Sequence, residues 1–440
     1  MRPSGIALTP GIAICQTDLP IDWYQAELKP YAEEYLALPD RTPETVLPWM
    51  DSYMVPALRE LGDSVMLLAH FYMGGEIVKL VERYGGFVAD SYALALQAVR
   101  NPGKTHFVES AVHFMAETIA LLKHEHQSVW ITNPKSGCTM EALAKEDMVL
   151  PVFRELRDRY GDDLLAIVYM NASGRVKAMA GQTGGAVCTS SNAKTIMRWA
   201  YEQSPRKKIL FIPDRHLGEN SGRAIGIPPD RMAHWPGGWD GARRRMAHLS
   251  AQELDALDRA ELVLWGSFCG VHTIFRPEHV AYWQTRGYRV IVHPESPWEV
   301  VQAADGHGST NYLWSAVMDA SPGAKIAVGT EGHFVRNARE QAAQRGVEVV
   351  HLADIPDPSF GAVGCGCATM SRNDPPHLVG LLDLLAKGRA PELNRVLAGD
   401  SVDETTGWRE RLDPRSQAEI RTDARRALEK MIELTEGAKS

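Results

Sequence analysis

Runs of aliphatic and β-branched residues that break abruptly into polar positions recur three times along the chain, and they predict the opening strand of three equivalent repeats. The runs are Val65-Met-Leu-Leu-Ala-His70-Phe-Tyr72, Leu164-Leu-Ala-Ile-Val-Tyr169-Met-Asn171 and Arg289-Val-Ile-Val-His293-Pro-Glu295. A small-residue strand ending in a hydroxyl follows each: Val88-Ala-Asp-Ser91, Val187-Cys-Thr-Ser190 and Gly306-His-Gly-Ser309-Thr310. The chain advances 21 residues from 70 to 91, 21 from 169 to 190 and 17 from 293 to 310. A third strand comes next (His106-Phe-Val, Lys208-Ile-Leu-Phe-Ile, Lys325-Ile-Ala-Val), then a fourth that leads to a cysteine. Those endings read Ser136-Gly-Cys138, Ser267-Phe-Cys269-Gly-Val-His272 and Cys365-Gly-Cys367. Helical periodicity between strands, as in residues 111–122 and 378–386, predicts an α/β fold with parallel sheets. Three equivalent loops carrying three thiols predict a meeting point on a pseudo-threefold axis.

The repeats partition the 440 residues, long enough for about three domains. The expected division is an N-terminal arm over 1–45 with a helix near Trp23 to Leu36, α/β units over 46–140, 141–272 and 273–385, and a charged helical segment over 386–440. The second unit carries an Arg- and Leu-rich insertion over 240–264, expected as a helical excursion on the surface. With a net charge of -8 and Arg243-Arg-Arg245 as the one conspicuous basic cluster, no nucleic-acid partner is expected. The sequence has neither a long apolar run nor an export signal, so no membrane association and a cytoplasmic location are expected. Thiols stay reduced there, and the six cysteines read as ligands, catalytic groups or core residues rather than disulfides.

Taken singly, each cysteine is most simply a small buried hydrophobe. The matching loop positions of Cys138, Cys269 and Cys367, each beside a glycine, favour a soft-metal site. Three ligands leave one metal position open, as catalysis requires. Cys365 is a spare candidate, while Cys15 in the arm and Cys188 on a strand read as structural. Ser91, Ser190, Ser309 and Thr310 sit where strand gives way to helix, so they are either anion-binding groups or simple N-caps. His70 with Tyr72, Tyr169 with Asn171, and His293 with Glu295 place acid-base groups at strand ends, in no order that suggests a Ser-His-Asp nucleophile. The residues alone leave open an iron-sulfur enzyme, a zinc hydrolase or lyase, and a non-catalytic iron-sulfur sensor.

Several ordered segments resemble the quinolinate synthase family, the iron-sulfur enzymes of de novo NAD biosynthesis. The most specific is Tyr169-Met-Asn-Ala-Ser-Gly-Arg-Val-Lys-Ala178 followed by Cys188-Thr-Ser-Ser-Asn-Ala193. Pro213-Asp-Arg-His-Leu-Gly218, Phe268-Cys-Gly-Val-His272, His293-Pro-Glu-Ser-Pro297, Gly308-Ser-Thr310 and Cys367-Ala-Thr-Met370 add to it. The resemblance implies three repeated αβα sandwich domains with parallel sheets around a pseudo-threefold axis. It implies a 4Fe-4S cluster on Cys138, Cys269 and Cys367 that acts as a Lewis acid while iminoaspartate and dihydroxyacetone phosphate condense to quinolinate, phosphate and water. His70, Ser91, Tyr169, Met170, Asn171, Ser190, His293, Pro294, Glu295 and Thr310 match the substrate-contacting positions, with Tyr169, His293, Glu295 and His70 as the catalytic candidates. A transient contact with the enzyme that supplies iminoaspartate is implied as well. The departures are extra residues around Gly181-Gln-Thr-Gly-Gly185, the insertion after Trp239, and Asp305-Gly-His307-Gly before Ser309.

Overall fold

The computed structural model describes residues 19–73, 76–203, 208–236, 243–357, 360, 366–403, 406 and 409–438. Each opening run folds as a strand, and each becomes an interior strand of a parallel sheet. In the first sheet β1 (Val65–His70), β2 (Phe87–Ala89), β3 (His106–Ser110) and β4 (Ser128–Ile131) pair in the order β4-β3-β1-β2. The second comprises β5 (Leu164–Tyr169), β6 (Ala186–Cys188), β7 (Lys208–Ile212), β8 (Met232–Trp235) and β9 (Leu262–Trp265), in the order β6-β5-β7-β9-β8. The third comprises β10 (Arg289–Val292), β11 (Gly306–His307), β12 (Lys325–Gly329) and β13 (Glu348–His351), in the order β11-β10-β12-β13. Apart from edge strands added to the first two, all three sheets share one order: the opening strand lies between the second and third, and the last lies beyond the third. Every residue of β5 is buried, as a parallel strand covered on both faces requires.

The chain packs as two compact units, one from residues 1–137, 332–337 and 366–411 and the other from 138–331, 338–365 and 412–440. In the first, helices Lys29–Leu36 and Pro43–Leu61 pack on helix Pro375–Ala386. The short strand Arg395–Val396 adds to the sheet antiparallel to β4, and the Asn394 side-chain amide donates to the Ile131 and Thr132 carbonyls. In the second unit the edge strand β8 precedes the expected insertion over 240–264, and the insertion contributes helix Ala251–Arg259 with its Ser250/Glu253 capping box. Only Leu257 of that helix is buried, which explains its polar composition. Residues 237–242 lie outside the described residues. The C-terminal helix Pro414–Gly437 buries Ala424, Ala427, Leu428, Met431 and Thr435 and packs on helix Gly174–Gln182 and on β6. The glycine of Gly181-Gln-Thr permits this approach: a Cβ there would lie 1.9 Å from the Asp423 carbonyl oxygen. Among the described residues no helix is long and apolar enough to cross a membrane.

Glu109 on β3 is fully buried, and neither carboxylate oxygen has a hydrogen-bond partner among the described residues. Burial raises its pKa to about 8, so the folded state keeps a proton that the unfolded chain gives up near its ordinary value of 4.5. Stability therefore falls as pH rises between those values. Glu109→Gln removes this penalty and should stabilise the protein more at pH 8 than at pH 5, the difference being roughly 2–4 kcal/mol in denaturant melts at the two pH values. Equal gains at both would show that Glu109 ionises normally in the fold.

Candidate active site

The polar ends of β5 and β10 come together in the second compact unit. Tyr169 closes β5, and its hydroxyl donates to Glu295 Oε1 at 2.5 Å. The other carboxylate oxygen, Oε2, lies 2.6 Å from His272 Nδ1 and 3.8 Å from His293 Nδ1. The two imidazoles stack with centroids 4.4 Å apart and planes 21° apart, and His272 Nε2 reaches Thr330 Oγ1 at 3.0 Å. Glu295 is 2% exposed. Its burial acts to raise the carboxyl pKa, but charge on His272 and His293 and hydrogen bonds from His272 and Tyr169 outweigh that and hold it at about 2. At neutral pH it is an ionised, buried carboxylate able to accept a proton. His272 was not among the residues expected in the site, although the Cys269-Gly-Val-His272 spacing was its signal.

Helix Arg215–Ala224 holds the neighbouring Cys269 loop. Asp214 caps it, with Oδ1 accepting from the Leu217 N–H at 2.7 Å and Oδ2 from the Cys269 N–H at 3.0 Å. Burial, followed by the charge of Glu295, pushes the Asp214 carboxyl well above its usual range. One ligand-type atom from each of Cys269, His272 and Glu295 lies within 4.8 Å of the others. Asn171, two residues beyond β5, turns Nδ2 toward Cys138 Sγ at 3.9 Å, while its buried Oδ1 has no partner among the described residues. Met170 is fully buried, and its N–H donates to the Cys188 carbonyl.

The helix starts separate the hydroxyls from the caps. Ser309 is the N-cap of helix Thr310–Met318, accepting from the Tyr312 N–H, so Thr310 occupies the first helical position. Asp90 likewise caps the short helix Ser91–Ala95 through the Ala93 N–H, leaving Ser91 at its first position. Ser190 precedes helix Ala193–Glu202, whose N-cap residue Asn192 makes no side-chain cap bond but accepts from the Thr189 N–H. Capping therefore accounts for Ser309, and for none of Ser91, Ser190 and Thr310. In the first unit, His70 ends β1 beside β2, its Nδ1 accepting from the Tyr72 N–H at 3.1 Å.

Cys138, Cys269 and Cys367 are half-buried and form no disulfide among the described residues. Cys188 is fully buried, and burial pushes its thiol pKa far above the usual range, which agrees with a structural role. Cys15 and Cys365 lie outside the described residues. In the first unit the loop leading to Cys138 is laced to the loop bearing Cys367: Ser136 Oγ donates to the Thr369 carbonyl at 2.7 Å, Asn133 to the Arg372 carbonyl at 2.7 Å, and Arg372 to the Lys135 carbonyl at 2.6 Å. Thr369 Oγ1 stands 3.3 Å from Cys367 Sγ.

Comparison with known proteins identifies the family. Residues 55–433 match the family described as quinolinate synthetase A protein, NadA. A quinolinate synthase of Corynebacterium glutamicum is 38% identical over 345 residues, 78% of this chain and 81% of the relative. Those of Acidobacterium capsulatum (36% over 374 residues, 84% and 92%) and Bacillus velezensis (32% over 388 residues, 88% and 93%) are similar along most of their lengths. With a family match over most of its length and relatives of one name matched over 81–93% of theirs, the chain belongs to the quinolinate synthase family.

Proposed function

We propose that the protein condenses iminoaspartate with dihydroxyacetone phosphate to quinolinate, releasing phosphate and water, in the cytoplasm. The observation that carries this reading is the buried, ionised Glu295, which accepts from the Tyr169 hydroxyl and lies against His272, beside the thiol of Cys269. Cys138, Cys269 and Cys367 are the ligands of a 4Fe-4S cluster in this proposal. Three half-buried thiols, soft donors of the right chemistry, with Cys188 sealed away, fit that group in kind. When bound with one iron position open, the cluster supplies a Lewis acid. The shared strand order supports three αβα domains, over 46–140, 141–272 and 273–385, and a pseudo-threefold axis relating them is part of the proposal.

The chain's own residues then have separable tasks. Glu295 takes a proton from a substrate carbon or hydroxyl, Tyr169 returns one from its hydroxyl, and His272 and His293 balance the carboxylate charge. His70 and the free acceptor of Asn171 orient polar substrate groups, while Met170 and Pro294 shape the walls beside them. Ser91, Ser190 and Thr310, at the carboxyl ends of the sheets, bind phosphate and carboxylates. An imine is readily lost to water, which favours a transient contact with the enzyme that supplies iminoaspartate.

Ser190→Ala should raise KM with iron content unchanged, by the equivalent of about 1.5–3 kcal/mol for a hydrogen bond to a charged group. Unchanged KM and rate would remove Ser190 from substrate binding. The reaction itself is tested by reconstituting the protein anaerobically with iron and sulfide, supplying both substrates and quantifying quinolinate. A brown, fully loaded protein that forms none would overturn the proposal. A colourless protein active with zinc would replace it by the zinc enzyme.

A further inference from the structure

We infer that Asn220 is a positioning residue that sets the aim of Glu295. It lies in the second turn of helix Arg215–Ala224, at 5% exposure. Its single side-chain amide donates twice, to the Pro294 carbonyl at 2.8 Å and to the Ser296 carbonyl at 2.9 Å, so its two bonds bracket Glu295. The amide orientation follows from these partners, because the flipped oxygen would face two carbonyl acceptors. Among the described residues, few other backbone bonds hold residues 294–296. Pro294 has no N–H to give, the Glu295 N–H makes a long contact of 3.4 Å to His293 Nδ1, and the Ser296 N–H bonds back to the His293 carbonyl.

Glu295 tolerates little displacement. Its two oxygens are committed at once to Tyr169 at 2.5 Å and to His272 at 2.6 Å, and a shift of about 1 Å in the turn would break one of these bonds. The helix that carries Asn220 is capped by Asp214, which receives the Cys269 N–H. One rigid element therefore serves as the common reference for the Cys269 loop and the Glu295 turn. Asn220 Oδ1 is buried without a partner among the described residues, a penalty that an aliphatic side chain of this size would avoid while losing both donors.

The test combines a double-mutant cycle with hydrogen exchange on the cluster-loaded protein, and its kinetic half rests on the proposed reaction. Asn220→Ala should lower kcat by about 10- to 100-fold with KM and iron content within about twofold. In a Glu295→Gln background the same change should cost less than about twofold, because its effect passes through the carboxylate already removed. Amides of residues 293–297 should exchange faster in Asn220→Ala, and Asn220→Ser, which keeps one donor, should fall between it and the parent if the alanine variant folds poorly. An unaltered kcat, or the full loss repeated on top of Glu295→Gln, overturns the inference. If the parent protein makes no quinolinate, the reaction assignment has failed and exchange decides alone: faster exchange at 293–297 sustains the positioning role, and unchanged exchange overturns it.

Discussion

Replacing Cys138, Cys269 or Cys367 singly by Ser should leave a bleached protein with greatly reduced iron and no measurable quinolinate formation, whereas Cys188→Ser and Cys15→Ser should remain brown and active. A thiolate binds iron as a soft anionic donor, and a serine hydroxyl stays protonated at the same pH and replaces it poorly. The three thiols are half-buried, while Cys188 is fully buried in an environment that keeps its proton on. Iron and sulfide per chain, together with the visible absorbance of anaerobically prepared protein, read the result. A full cluster in Cys138→Ser or Cys269→Ser would strike that residue from the ligand set, and a full cluster in Cys367→Ser would transfer the role to Cys365.

Glu295→Gln is the variant expected to separate chemistry from assembly. Gln keeps the shape and can still accept from Tyr169, but it cannot take up a proton, and it leaves His272 without its carboxylate. Turnover should fall by about 10²-fold or more, with iron content and KM nearly unchanged. A stability effect should accompany this. Because the folded pKa of Glu295 is depressed to about 2 from an ordinary 4.5, its ionisation favours the folded state above the higher value, and that support is lost as pH falls toward the lower one. The variant should therefore melt below the parent at neutral pH, with the gap closing on acidification. Near-normal turnover would pass the proton-carrying role to His293 or Tyr169.

Much of this arrangement was legible from the residues because its logic is local. A continuous apolar run such as residues 164–168 reads as a buried parallel strand, and the first polar residues after it, Tyr169 to Asn171, fall at the sheet's carboxyl edge. Tertiary and conformational choices were less legible. Asp90-Ser91 and Ser309-Thr310 each place two cap-competent residues side by side, and only the backbone angles decide that Asp90 and Ser309 take the cap. His272 and Asn220 matter through partners 23 and more than 70 residues away, Glu295 for the first and Pro294 for the second, which no local pattern announces. The edge strand β8 is four residues long, and Arg395–Val396 is two, too short for periodicity to register.

The pairing of Arg395 with Trp130 constrains how the protein can be made. During synthesis the first sheet emerges early, yet one side of β4 stays open until the chain has grown past Val396, and helix Pro375–Ala386, which packs on Pro43–Leu61, arrives equally late. Such long-range closure is slow, and an open strand edge invites pairing with another chain in the interval. A nascent polypeptide stalled before Arg395 would carry its damage at the opposite terminus, as an unfinished N-terminal sheet. Completion of β4 is thus timed by release of Arg395–Val396, made more than 260 residues later, and dependence on a holding chaperone should be greatest for chains cut short before that strand.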